Sequence, residues 1–534
     1  MPDPRRFKEA GFAVETTREG EGPVRLVLLP DPAAALARGE PIKRSLYRAA
    51  ARVDVAGLGS VVLKVHHPHG AADVVRSALR PSRARREWRA ARYLYGAGIP
   101  TPEPLAMLER RRGPLLEQAA SASRHLATRK TFEPALLSMP GAKARVLLER
   151  ATALVRALHD RGVSHRDLHS GNVLVGPGPG DRATIHVIDL HKVRVGHPVG
   201  RRRRAAELGQ WLHSLAASVG PGGRLRALVA YAGGRADREG LERLWRDVGR
   251  ATRARERRRL RSRSRRCVEE GLWFTRDVGA GRGFRARTLP GPDLERVLAA
   301  HDRALASGEA GGAIAKRGRK SAVTRQGAAL VKERLEGGAA RRLEGALVPG
   351  RRIGGYRNAQ RLLVRGVGTA APLAFVRRGG RTFTLYEDLS AFPRLDHRVR
   401  AALRARAWSR ARARLLLETT ADLAARLHRL GIWHGDLKAC NWLVGEHASG
   451  FDLRIVDTDR VRFLRRVSRA RRLRNVAQLA ASIPVVVTKT DRLRWWRRYV
   501  QGTELAGRAA ERAAARDVAA LLARKTVVVD EPIE

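Results

Sequence analysis

The chain has 534 residues, of which 43% are apolar and 5% aromatic; that is enough for packed cores and excludes a wholly disordered polypeptide, and the length exceeds one ordinary domain. Lys and Arg total 106 against 52 Asp and Glu, a formal net charge of +54. A field of that sign draws in anions, whether ATP, nucleic acid, acidic lipid head groups or phosphorylated glycans, without choosing among them.

At the N-terminus, Met1 to Phe12 is charged and has no apolar h-region, so no signal peptide is expected. The only cysteines, Cys267 and Cys440, do not make a disulfide framework. The longest apolar stretches, such as Leu479 to Val487, are too short to span a bilayer. A cytoplasmic protein is expected, with a peripheral position on the anionic inner face of the membrane left open.

In chain order, a basic segment, Lys43-Arg44-Ser45-Leu46-Tyr47-Arg48, precedes the apolar strand Val61-Val62-Leu63-Lys64-Val65. An Arg-rich helix is predicted over Ser82 to Leu94, followed by the run Gly98-Ile99-Pro100-Thr101-Pro102-Glu103-Pro104-Leu105-Ala106. Next comes Leu158-His159-Asp160-Arg161-Gly162-Val163-Ser164-His165-Arg166-Asp167-Leu168, with Asn172 soon after. The β-rich run Ile185-His186-Val187-Ile188-Asp189 and a basic helix, Arg201 to Ala216, complete the set.

The same series then recurs. Lys332 stands in Ala329-Leu330-Val331-Lys332-Glu333 after a second basic segment, Lys316 to Ser321. Gly366-Val367-Gly368-Thr369 opens the second copy of the Gly/Pro run, and Tyr356-Arg357-Asn358 starts a helix. Leu427-His428, then Gly431 and His434-Gly435-Asp436-Leu437, repeat the pattern L-H-x-x-G-x-x-H-x-D-L, and Asn441 follows. Leu453-Arg454-Ile455-Val456-Asp457 and a basic helix, Arg469 to Ser482, close it. The offsets are 332 − 64 = 268, 436 − 167 = 269 and 457 − 189 = 268. One offset held by several motifs in one order marks a tandem duplication. The Gly/Pro-rich stretch from Asp277 to Pro292 reads as the boundary, giving domains 1–285 and 286–534. A short helix, Asp293 to Ala306, opens the second.

Loop Asp and Asn residues ordinarily make turns and caps, and a strand Lys is ordinarily surface. Here Lys, H-x-D-x-x-x-x-N and a strand-following Asp occur together, in order, twice. Asp167 and Asp436 can accept or orient a hydroxyl proton. Asn172 and Asn441 offer hard oxygens to Mg²⁺, and Asp189 and Asp457 can bridge it between phosphates. Lys64 and Lys332 can neutralise ATP phosphates. These are the parts of in-line phosphoryl transfer. His165 and His434 read as braces of the loop.

The loop His165-Arg166-Asp167 to Asn172 resembles the catalytic loop H-R-D-x-x-x-x-N of the protein-kinase-like superfamily, and His434-Gly435-Asp436 to Asn441 matches it with Gly for Arg. The resemblance implies an α+β fold of two tandem bilobal domains, each a β-rich N-lobe over a helical C-lobe. It implies Asp167 and Asp436 as catalytic residues and Asn172, Asp189, Asn441 and Asp457 as Mg²⁺ ligands. It implies Lys64 and Lys332 as ATP contacts and Glu87 as the ion-pair partner of Lys64. No G-x-G-x-x-G precedes either Lys, no D-F-G stands at Asp189 or Asp457, and no A-P-E follows. These departures and the G-I-P-T-P-x-P-L-A run are similar to the lipopolysaccharide kinase family, which includes heptose and 3-deoxy-octulosonic acid kinases and InaA-like proteins. That implies an ATP-dependent kinase acting on a sugar hydroxyl of a lipid-anchored glycan.

The position matching Glu87 is Gly355, so Lys332 needs another acid, with Glu344 a candidate, or does without. Lys438, two residues after Asp436, is placed to steady the γ-phosphate. Other readings stay open: a Ser/Thr protein kinase, or a kinase-like scaffold or partly degenerate pseudokinase binding anionic partners. The basic runs Arg201 to Arg204, Arg253 to Arg266 and Arg462 to Arg474 could dock an anionic membrane, and nucleic-acid binding is expected only as an incidental, salt-sensitive effect.

Overall fold

The structure is a computed structural model describing residues 3–29, 31–45, 48–68, 70–126, 129–178, 183–234, 237–308, 314–318, 321–334 and 353–524. The chain forms two compact units, Met1–Arg257 and Arg258–Glu534.

The first unit begins with β1 (Arg5–Glu9), β2 (Phe12–Thr16), β3 (Glu40–Ser45), β4 (Arg48–Val55), β5 (Gly59–His66), β6 (Pro104–Arg112) and β7 (Leu115–Arg124). They make a seven-stranded antiparallel sheet in the order β1-β2-β6-β7-β5-β4-β3. Alternation sets the two faces: Val61, Leu63 and Val65 of β5 are buried in one core, and Lys64 between them points to the other side. The helix Arg83–Gly96 caps its first turn with Ser82, whose hydroxyl accepts from the Arg85 N–H. β8 (Lys130–Thr131), β9 (Val173–Gly176) and β10 (Thr184–Val187) form a small sheet beside the helical lobe. The helix Gly141–Asp160 buries Leu147, Leu148, Ala151, Val155 and Leu158 at spacings of one, three and four, which places them on the single stripe that a 3.6-residue period allows.

Trp211, on the helix Arg201–Ser214, is fully buried in that lobe. Its ring meets Phe132 edge-on, and its indole N–H donates to Thr152 Oγ1 at 3.1 Å. Trp211→Ala is expected to destabilise the first unit by about 3–5 kcal/mol, because the cavity left behind adds to the lost burial. Urea denaturation of the full chain checks this, and a loss under about 1 kcal/mol would contradict it.

The second unit repeats the plan. β11 (Phe274–Thr275), β12 (Arg282–Ala286), β13 (Ile314–Gly318), β14 (Ser321–Gln326), β15 (Ala329–Arg334), β16 (Pro372–Arg378) and β17 (Arg381–Glu387) assemble in the order β11-β12-β16-β17-β15-β14-β13. This is the first sheet's connectivity strand for strand. It corrects the boundary at residue 285, since β12 pairs with β16 from Arg282↔Arg377 to Arg285↔Ala374. The glycines there belong to a hairpin and a close strand approach: a Cβ on Gly283 would lie 1.8 Å from the Phe375 carbonyl oxygen. The division falls instead within the basic helix Arg238–Arg265. The expected helix over Asp293 to Ala306 spans Gly291–Ser307. Two ribbons follow, β18 (Ile432–His434) with β21 (Val461–Phe463), and β19 (Trp442–His447) with β20 (Gly450–Ile455).

Each unit is thus a mixed α+β body. Cys267 sits in a core with Tyr356 and Phe375, and burial pushes its thiol up to about 12; both cysteines are free thiols. No described helix is long and apolar enough to cross a membrane.

Candidate active sites

The sheet and the helix beside it bring the first cationic group into place. Lys64 Nζ meets Glu87 Oε1 on the helix Arg83–Gly96, with both side chains largely buried. In the second unit the alternation on β15 is the same: Val331 and Glu333 are buried and Lys332 points the other way. Its partner differs. Lys332 Nζ meets Asp459 Oδ2 and lies 3.7 Å from Asp457 Oδ1. Glu344 lies outside the described residues.

Both loops are built alike. The Asn172 amide donates from Nδ2 to the Asp167 carbonyl at 2.9 Å, and Asn441 does the same to Asp436 at 2.7 Å. That bond aims each amide oxygen away from the loop carbonyl. His165 Nε2 donates to the Ile188 carbonyl at 3.1 Å and His434 Nε2 to that of Val456 at 3.0 Å. Burial pushes both imidazoles below their ordinary value, so they stay neutral and hold the loop against the strand before Asp189 or Asp457. The Gly/Pro run fastens the same end of that strand, one residue earlier. Val187 N–H donates to the Pro100 carbonyl at 3.0 Å, and Ile455 N–H to that of Gly368 at 2.9 Å.

Asp189 and Asp457 both adopt the left-handed conformation, φ 60° and 56°, where a non-glycine residue is uncommon and held only by its surroundings. Around Asp189 three cationic or polar groups converge: His191 Nδ1 at 2.7 Å, Arg48 Nη2 at 3.1 Å, and Lys64 nearby. Burial would raise this carboxyl; the His191 hydrogen bond and the Arg48 and Lys64 charges outweigh it and hold it well below the usual range. Asp167 accepts from Lys192 Nζ at 2.6 Å and Gln210 Nε2 at 3.1 Å, which overcome its burial and keep it ionised. Lys438 lies half exposed, 3.5 Å from Asp436 Oδ1.

Arg48 heads β4, at the end of the first basic segment; the side chains of Lys43 to Ser45 are not described, and Leu46, Tyr47, Arg319 and Lys320 lie outside the described residues. Among the described residues no group of three His, Cys, Asp or Glu side chains could hold a metal. The oxygen-only set of one amide and one carboxylate per unit is the sparse kind that Mg²⁺ accepts when phosphates and water supply the rest. The Arg48 guanidinium on Asp189 shows that this carboxylate already gathers positive charge.

One anchor escaped the motif reading. Glu207, 2% exposed on the helix Arg201–Ser214, accepts from the His165 N–H at 2.8 Å, the Arg166 N–H at 3.2 Å, Ser164 Oγ at 2.5 Å and Arg203 Nε at 2.7 Å. It also meets His159 Nε2 at 3.2 Å, and His159 Nδ1 meets Tyr231 Oη at 2.7 Å. The second unit places Asn475 there, bonded to the His434 carbonyl at 2.6 Å and to His428, which in turn meets Tyr499. The signal was present: His159 and His428 belong to the repeated L-H-x-x-G pattern, and Gln210 and Gln478 recur 268 apart.

The model of the lipopolysaccharide kinase (Kdo/WaaP) family matches residues 37–231 and 347–500, one segment in each unit. Lipopolysaccharide core heptose(I) kinase WaaP of Pseudomonas aeruginosa is 28% identical over 193 residues, covering 34% of this chain and 71% of that protein. Its counterpart from Escherichia coli K12 is 26% identical, covering 32% and 68%. Among solved structures, WaaP in complex with acyl carrier protein is 26% identical and covers 45% of this chain and 95% of its own, at a TM-score of 0.35. The Mycobacterium tuberculosis PknI kinase domain is 16% identical, covers 39% and 94%, and has a TM-score of 0.26.

Proposed function

This chain belongs to the lipopolysaccharide kinase (Kdo/WaaP) family and is a kinase, and from that premise we propose that it transfers the γ-phosphate of ATP to a sugar hydroxyl on a lipopolysaccharide-type glycolipid. The observation that carries the reading is the paired wiring: in each unit a strand Lys meets an acid, the loop Asn grips the carbonyl of the loop Asp, and a later Asp takes the left-handed conformation. In this reading Asp167 and Asp436 receive or orient the proton of the acceptor hydroxyl. Lys64 and Lys332 face the α- and β-phosphates. Asn172 with Asp189, and Asn441 with Asp457, would hold Mg²⁺, which when bound neutralises charge on the transferring phosphates. Lys438 lies beside Asp436, on the side where the γ-phosphate would arrive.

The connection after the metal-site Asp favours a sugar over a protein acceptor. Each left-handed Asp enters a single 3₁₀ turn, Leu190–Lys192 or Thr458–Arg460, and a helix begins at Arg201 or Arg469. That leaves little chain for a phosphorylated activation loop or a peptide platform. The +54 charge suits an acceptor displayed on an anionic surface and already phosphorylated. Peripheral contact with the inner face of the membrane, and hence a cytoplasmic setting, form part of the same proposal.

The test uses the purified full chain, Mg²⁺ and γ-labelled ATP, with a cell-envelope glycolipid fraction and a protein fraction as competing acceptors. Label is expected in the glycolipid and absent with the Asp167→Ala/Asp436→Ala chain. Label in protein instead would replace this reading by a protein kinase. Neither transfer nor ATP binding would leave a kinase-like scaffold. Binding to nucleic acid is expected to fall steeply with salt and to show no sequence preference, with filter binding across a salt series as the check.

A further inference from the structure

The two units solve one electrostatic problem with different residues. In the first, the acid that meets the strand lysine comes from a helix, Glu87. In the second that helix position is Gly355, at the same offset (355 − 87 = 268). The acid comes from the turn after Asp457: Asp459, where the first unit has His191 (459 − 191 = 268). The two exchanges fit in space. A Cβ on Gly355 would lie 2.0 Å from Asp459 Oδ1 and 2.9 Å from Tyr386 Oη, so the Asp459 carboxylate occupies the volume a side chain at 355 would need. The same helix turn grips the loop that carries Asp459. Thr458 Oγ1 donates to the Gly355 carbonyl at 2.9 Å, and Asn358 Nδ2 donates to the carbonyls of Thr458 at 3.0 Å and Val461 at 2.9 Å.

We infer that Asp459 is the positioning residue of the second site, taking over from the missing helix glutamate, and that Gly355 is the compensating change that makes room for it. This rests on the kinase reading of the site and adds a residue to it. Asp459 acts through Lys332, holding its ammonium where phosphates would bind, and touches neither nucleotide nor acceptor. The arrangement also changes what the pairing depends on. In the first unit the Lys64 pair forms only when the helix Arg83–Gly96 is docked. In the second the acid lies two residues from Asp457, so the lysine and the left-handed Asp are set by one turn. The second match to the family begins at residue 347, downstream of Lys332, so the assignment of Lys332 stands on this geometry.

The experiment uses the full chain with Lys64→Met and Asp167→Ala, so that neither nucleotide binding nor turnover at the first site contributes and the second site alone is read. Steady-state ATP turnover and binding of a fluorescent ATP analogue are measured for Lys332→Met, Asp459→Asn, Asp459→His and Gly355→Glu/Asp459→His. Asp459→Asn and Asp459→His are expected to raise the KM for ATP by about tenfold or more, the scale of one charge-assisted hydrogen bond lost to a phosphate-facing lysine. The melting temperature should stay unchanged, because Asp459 is about one-third exposed. The double variant installs the first unit's arrangement and is expected to recover most of the loss. Nucleotide affinity unmoved by Asp459→Asn but lost in Lys332→Met would overturn the inference while leaving the kinase reading intact. A double variant no better than Asp459→His would overturn the exchange. Affinity unmoved by Lys332→Met would overturn the reading of the site itself, and the inference with it.

Discussion

Asp436→Asn is expected to slow phosphoryl transfer at the second site by roughly 10²–10⁴-fold, with ATP affinity nearly unchanged. An amide keeps the shape of the side chain and cannot take a proton. The loop should survive the change, because what fixes it is backbone and neighbour chemistry. The Asp436 N–H donates to His434 Nδ1 at 3.1 Å, its carbonyl accepts from Asn441, and Gln478 bonds the Leu437 N–H and the Gly435 carbonyl. Asp167→Asn should act alike at the first site, with one difference. Asp167 is engaged by Lys192, and Asp189 by Arg48 and His191, contacts that incoming nucleotide must rearrange. Each single variant is therefore expected to leave part of the total transfer and the double variant none. Single-turnover kinetics with γ-labelled ATP separates the sites. Full transfer retained in the double variant would remove both aspartates from the chemistry.

Glu207→Ala is expected to cost the first unit about 3–5 kcal/mol, the scale for removing one partner of a buried charged network. The substitution leaves two backbone N–H groups, Ser164 Oγ, Arg203 and His159 without their acceptor. The damage should centre on the catalytic loop, so hydrogen exchange in peptides spanning residues 158–175 is the direct measurement. Glu207→Gln should cost much less, since the second unit does the same work with the neutral Asn475. A pH dependence follows. Burial would raise the Glu207 carboxyl, but hydrogen bonds from His159 and Ser164 bring it from 4.5 down to about 2. A depressed carboxyl contributes stability that is fully present above its unfolded value and is lost as pH falls through the folded one. The first unit should thus lose stability between about pH 4.5 and pH 2, and Glu207→Gln should flatten that slope.

Much of the site was legible before any fold was known. Lys64 and Lys332 stand out in the sequence because each ends up at the same place in a repeated series of motifs, 268 residues apart. The loop Asp and Asn stand out in the sequence because their spacing is short and repeated. The domain boundary was misplaced because glycines at a hairpin and at a close strand approach look like linker glycines when only composition is read. Glu207 was passed over because one acid among the arginines of a basic helix looks like a surface residue until the helix is docked.

By itself the sequence determined the duplication, which is written in fixed spacing, and its loop residues carried the resemblance that implied the two-lobed α+β plan. Only the tertiary structure decided which acid meets Lys332, that Glu207 and Asn475 anchor the loops, and that β11 and β12 complete the second sheet. Asp459 is 127 residues from Lys332 along the chain. No local preference marks such a pair; it exists because a glycine clears the space and a turn held by Thr458 and Asn358 brings the carboxylate to Lys332.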